Sequence, residues 1–240
     1  MRHSKTSTTT DVWRPDALII ASAAEQSQQI AWIQRTGTPL VLIDRCFPDL
    51  AANYIGADNE MVGAMATEHL ITVGCKRIAH LRGPGTSPGI GRLNGYLKTL
   101  AKHRIKSPVG YVSEMVNVPS RENGVMLMKR LLALKPTPDG VFCYNDPTAV
   151  GAIDAILASG LHVPDDIAVI GSGNLYYGSE LRVPLSSIDQ QTELIGERTA
   201  RLAISLITSR KHMKPKTFII QPQLVVRAST QIDRRLRRES

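Results

Sequence analysis

The stretch from Asp139 to Asn174 constrains the fold more than any other part of the chain. A short run of β-forming residues, Gly140 to Tyr144, halts at Asn145-Asp146-Pro147. Apolar residues then recur at helical spacing, at Ala149, Val150, Ile153, Ile156 and Leu157, until Gly160 closes the segment. Asp165-Asp166 leads into a second apolar run, Ile167 to Ile170, which stops at Gly171. That order is strand, helix, parallel strand, with a polar capped turn on top. Asp146 is placed to cap the helix, and Pro147 suits its first turn. In open α/β sheets ligands bind beyond the carboxyl ends of the strands. Asn145 and the Gly171–Asn174 loop stand at such ends, as candidate binding elements or simply as a strand stop and a helix cap.

The same alternation runs along most of the chain. Strands are expected at Asp16–Ala21, Pro39–Asp44, Tyr54–Ala57, Lys76–Leu81, Val109–Val116, Leu185–Ile188, Phe218–Gln221 and Leu224–Arg227. Helical spacing marks Glu25–Arg35, a helix from Asn59 to Gly74, another through Leu93, Tyr96, Leu97 and Leu100, then Arg121–Leu134 and Thr192–Ile207. Strands alternating with helices argue for an α/β fold of parallel sheets with helices on both faces. The first fifteen residues have no usable periodicity and read as an arm.

Length and composition agree with a globular body. The 240 residues can bury a substantial core in one large domain or two lobes, and 42% hydrophobic with 21% charged residues are globular values. No apolar run approaches the ~18 residues of a membrane span. Met1 to Thr10 is polar, without the apolar centre of a signal peptide, so a cytoplasmic product is expected. The net charge of +8 includes Arg234, Arg235, Arg237 and Arg238, which read as a solvated tail. Cys46, Cys75 and Cys143 lie far apart without zinc spacing and read as free thiols in apolar runs. No cofactor or metal site is expected.

Several separate pieces also resemble the lactose/galactose repressor (LacI/GalR) family of bacterial transcription regulators. They are Asp58-Asn59, then Glu68-His69-Leu70-Ile71 with Gly74 and Arg77-Ile78-Ala79. Next come Arg92-Leu93 with Gly95-Tyr96, Asn145-Asp146, the run Gly160 to Gly171, and Val183 to Gln190. The resemblance spans about Asp16 to Thr230. It implies a two-lobed fold of periplasmic-binding-protein type, crossed three times by the chain, with a small molecule in the cleft. The first lobe would hold residues 16–75 and 189–218, and the second 76–188 and 219–230, between an arm (1–15) and a basic tail (231–240). The family's helix-turn-helix and the first strands of its first lobe have no counterpart in this sequence. The first lobe is therefore expected to be partial at its N-terminal side, and operator DNA to be bound only by a longer protein.

The resemblance singles out ligand-binding candidates. Arg92 follows a Gly/Pro loop, where its fork can grip adjacent hydroxyls, a carboxylate or a phosphate. Asn145 and Asn174 can donate and accept at once. Ser22, Gln190, Thr86 and Tyr144 complete the set. Where the family commonly has an aromatic followed by Asp, this chain has Ser172-Gly173, which removes a charged acceptor for sugar hydroxyls. The glycines at 83, 85, 89 and 91 lack the ending of a P-loop, and neither a nucleophile elbow nor paired carboxylates are seen, so no enzyme is expected. The implied function is that of a cytoplasmic sensor domain for a sugar-like effector, in a homodimer without membrane contact. A solute-binding protein of a transporter and an inactive repressor fragment are the alternatives.

Overall fold

The computed structural model describes residues 15–22, 27–115, 118–209 and 214–231, so residues 1–14 of the arm and 232–240 of the basic tail, with its arginines, lie outside the described residues. The described chain forms two sheets, one for each lobe.

The first sheet has the order β1-β2-β3-β9, all parallel: β1 (Leu18–Ala21), β2 (Leu40–Ile43), β3 (Asn53–Ala57) and β9 (Thr217–Ile220). Its side chains alternate between two helices, as the strand period requires. Leu40 and Leu42 pack with Ile30 of α1 (Gln28–Arg35) on one face. Val41 and Ile55 pack with Leu202 and Ala203 of α6 (Thr192–Thr208) on the other.

The second sheet has the order β10-β8-β7-β6-β4-β5. It comprises β4 (Ile78–Leu81), β5 (Val112–Ser113), β6 (Gly140–Cys143), β7 (Ala168–Ser172), β8 (Ser186–Asp189) and β10 (Gln223–Val225). The pairs are parallel except β10 with β8. Along β6, Val141 and Cys143 face the core under α4 (Ser120–Leu132) and α5 (Asp146–Ala158), while Phe142 faces α2 (Asn59–Thr72) and α3 (Ser87–Lys102). Each such fully buried side chain contributes ~1.5–3 kcal/mol of burial. The expectation of helix-covered parallel sheets is met in both lobes.

Three details correct the sequence reading. Sequence order puts Asn59–Thr72 in the first lobe, but α2 packs on α3 and on β6, β7 and β8, so the first crossing falls at Asp58 rather than Cys75. The face built from Val62, Ala66 and Leu70 finds its apolar partner in the second sheet. The last crossing falls after Ile220, because β9 stays paired with β3 through that residue. Of the strand expected over Val109–Val116, whose last residue lies outside the described residues, Val112–Ser113 is strand: Gly110 turns at a positive φ of 88°, and Tyr111 N–H bonds back to Pro108 O at 3.1 Å.

The three crossings meet one another. Asp58 N–H bonds Ile220 O at 2.9 Å, and the Gln191 amide donates to Gln221 O. Every crossing leaves the carboxyl end of a strand, so the junction between lobes and the strand-end loops share one region. Among the described residues no helix is long and apolar enough to cross a membrane.

Candidate functional site

The strand-end loops of the two sheets face each other. The Cys46 N–H, after β2, bonds Ser87 Oγ at 3.0 Å, at the start of α3 in the other lobe. A cavity of about 440 Å³ lies beside this contact, walled by the Arg45–Asp49 loop on one side and Gly85–Ser87 on the other.

Arg92 is the hub of this region. It is 3% exposed. Its Nε donates to Asn59 Oδ1 (3.0 Å), its Nη1 to Tyr144 O (2.5 Å) and its Nη2 to Gln190 Oε1 (3.0 Å). The guanidinium also stacks over the Tyr144 ring, 4.6 Å from its centre. One residue thus joins the start of α2, the end of β6 and the crossing after β8. Burial lowers its pKa, opposed by Tyr144, Asp44, Asp146 and Tyr54, so the site sets this cation among acidic and phenolic groups. The Tyr144 ring fits against the chain because position 83 is glycine: a Cβ there would lie 2.3 Å from the ring.

Five of the sequence candidates are brought to this junction. Arg92 touches both Tyr144 and Gln190; Asn145 follows Tyr144 directly; Thr86 lies at the start of Arg92's helix and lines the cavity. Ser22 follows β1 at the carboxyl end of the first sheet. Asn174 is placed differently. Its Nδ2 donates to Asp189 Oδ2 (3.0 Å) and its Oδ1 accepts from Arg227 Nη2 (2.8 Å), so both ends of its amide are engaged by protein. It braces the loop after β7 against the segments before α6 and after β10.

The Asn145-Asp146 pair divides its labour otherwise than the sequence suggested. Asn145 is the cap of α5: its Oδ1 accepts the Thr148 N–H at 2.9 Å. Asp146, expected as the cap, sits inside the first turn and is 1% exposed. Its carboxylate accepts the Ser187 hydroxyl (2.7 Å) and the Leu175 N–H (2.8 Å), and so holds the loop after β7 in place. Burial raises its pKa, countered by those two bonds and by Arg227 and Arg92. The Ser172 hydroxyl, at the first position that departs from the family pattern, accepts from Gln190 Nε2 at 3.3 Å.

Sequence reasoning missed Asn59, Asp146, Arg227 and the Cys46–Ser87 contact as parts of the site. Asn59 and Asp146 belong to the motif pieces, but nothing in local spacing predicts partners 33 or 41 positions away. Among the described residues no group of three or more His, Cys, Asp or Glu side chains could hold a metal ion. Cys143 is buried and its thiol is pushed well above the usual range by burial, which makes it inert.

Comparison with known proteins places this arrangement. Residues 67–230 match the periplasmic binding protein-like domain family. The chain is 32% identical over 218 residues to the protein named Probable HTH-type transcriptional repressor ExuR of Bacillus subtilis, covering 90% of this chain and 65% of that protein. It is 37% identical over 174 residues to the HTH-type transcriptional repressor PurR of Mannheimia succiniciproducens, covering 72% and 51%. Among solved structures, the complex of the transcriptional regulator CelR with cellobiose superposes with a TM-score of 0.82 at 30% identity, covering 89% of this chain and 65% of that one. A LacI-family regulatory protein from Chloroflexus aggregans superposes with a TM-score of 0.81 at 28% identity, covering 89% and 76%. The chain spans less than two thirds of the length of these two curated repressors. It belongs to the periplasmic binding protein-like domain family, in the form that LacI-family repressors carry as their sensor region.

Proposed function

We propose that this chain is the effector-binding sensor of a LacI-type transcriptional regulator. A small, sugar-like molecule binds among the strand-end loops, and its grip on both lobes shifts the balance between open and closed forms. In the whole protein that shift changes operator affinity through the helix-turn-helix unit. Coupling of this kind is typically ~1–3 kcal/mol. The observation that carries the reading is Arg92, a buried cation whose three bonds join α2, β6 and the β8 crossing beside the inter-lobe contact. A ligand touching Tyr144, Asn145 or Gln190 acts on that junction directly. The regulators named above support a sensing rather than a catalytic role, since they are named as repressors and regulators and not as enzymes. A cytoplasmic homodimer belongs to the same reading.

The test is a thermal-shift screen of the purified chain against mono- and disaccharides, uronic acids and sugar phosphates, followed by calorimetry. Saturable stabilisation by a member of that panel, lost in Tyr144→Ala and Asn145→Ala variants that remain folded, is the expected result. Stabilisation that survives both substitutions would move the site elsewhere. Sedimentation checks the dimer.

A further inference from the structure

The cavity beside the Cys46–Ser87 contact is rich in donors that find no acceptor among the described residues. Arg45 lines it, half-buried, and its guanidinium makes no hydrogen bond or ion pair among the described residues. Thr86 lines it too. It is 8% exposed, its hydroxyl is buried without a hydrogen-bond partner among the described residues, and it occupies the cap position of α3 without making a cap bond. Ser87 Oγ accepts from Cys46 N–H, which leaves its own proton to give. The first bond inside α3 runs from Ile90 N–H to Thr86 O, so the N–H groups of Ser87 and Gly89 have no partner within the helix. The carboxylate on this wall, Asp49, is exposed and already accepts the Ser27 hydroxyl at 2.5 Å. A buried hydroxyl without a partner is uncommon in native structures, and here it stands beside an unpaired arginine and a helix start with positive polarity. Chemistry that completes all of these carries several acceptor oxygens and negative charge.

We propose that this cavity receives an anionic group of the effector, a carboxylate or a phosphate, held by Arg45, the hydroxyls of Thr86 and Ser87, and the start of α3. The inference rests on the effector reading above and narrows it: the ligand is an acidic saccharide rather than a neutral one. Because the group bridges Arg45 of the first lobe and α3 of the second, its charge also favours the closed arrangement.

The experiment titrates the chain calorimetrically with matched pairs, galactose against galacturonate and glucose against glucose 6-phosphate. Inorganic phosphate alone is followed by thermal shift. The acidic member of a pair binds about tenfold tighter than its neutral partner, and Arg45→Gln removes most of that advantage while the melting temperature of the unliganded chain is kept. Thr86→Val, which sacrifices no cap bond, reduces the same ratio. Phosphate alone stabilises the native chain and not Arg45→Gln. The two arms separate a carboxylate from a phosphate. A neutral sugar that binds as tightly as its acidic partner, or an acid preference untouched by Arg45→Gln, overturns this inference and leaves the effector reading standing. No binding by any member of the panel counts against both.

Discussion

Gly63 on α2 lies so close to Arg92 on α3 that a Cβ at position 63 would sit 2.0 Å from the Arg92 carbonyl oxygen. The approach is reciprocal, since a Cβ at Gly95 would lie 2.0 Å from Glu60 O. The second helix pair repeats the device: Gly124 meets Thr148 O and Gly151 meets Arg121 O, each at 2.0 Å. Two helix pairs in one lobe thus cross backbone to backbone, and the first crossing seats the hub of the site. Gly63→Ala and Gly151→Ala are each expected to destabilise the chain by ~1–3 kcal/mol or more through overpacking. Only Gly63→Ala should also weaken ligand binding, because it displaces Arg92. Urea midpoints paired with calorimetry separate the two effects.

Arg92 itself is predicted to serve stability and binding together. Arg92→Ala leaves Asn59 Oδ1, Tyr144 O and Gln190 Oε1 without their donor. The expected loss is ~1.5–3 kcal/mol of folding stability, the range for hydrogen bonds to charged groups, with a comparable loss of effector affinity. Arg92→Lys keeps the charge but cannot span three acceptors, and should recover less than half of either quantity. A lysine variant with full affinity would show that charge alone suffices.

Asn174 should behave as a brace. Its φ of 50° lies in the left-handed region that asparagine tolerates better than alanine. Asn174→Ala removes its bonds to Asp189 and Arg227 and adds backbone strain, for an expected cost of ~2–4 kcal/mol. Asn174→Gly relieves the strain without restoring the bonds, so it should fall between wild type and Asn174→Ala in a denaturation series. Equal stability of all three would remove the bracing role.

His80 predicts a pH dependence. Its ring is fully buried, stacked on Phe142 with centres 4.5 Å apart, and its Nε2 has no partner among the described residues. Burial lowers its pKa from 6.5 to about 4. The unfolded chain therefore binds the proton first as pH falls. His80 contributes stability that is whole above about pH 6.5 and is lost as pH drops toward 4. The effect is on the order of 3 kcal/mol across that window. Melting temperatures from pH 7 to pH 4 should show a slope that His80→Phe flattens; an unchanged slope would assign it to other groups.

The layered fold was legible because its signals are local. The β6–α5–β7 unit is written in a β-forming run, a helical period and Gly160, all within a few residues of one another. The failures are non-local. Asp146 looks like a cap because Asp before Pro usually is one, yet tertiary bonds to Ser187 and Leu175 claim it, and Asn145 caps instead. Asn174 stands at a strand end as a ligand residue would, but Arg227, 53 positions on, takes its amide oxygen. α2 carries an apolar face whose owner only the fold reveals, so sequence order placed it in the wrong lobe. Arg92 was found by resemblance, whereas its partners Asn59 and Gln190 required coordinates.

Hydrogen exchange with and without a bound saccharide asks whether the strand-end loops of both lobes close on one small molecule. Saturating ligand is predicted to slow exchange together at Cys46, Ser87, Tyr144 and Gln191, residues drawn from both sides of the junction. Protection confined to one lobe, or to the outer surface of α6, would contradict the account.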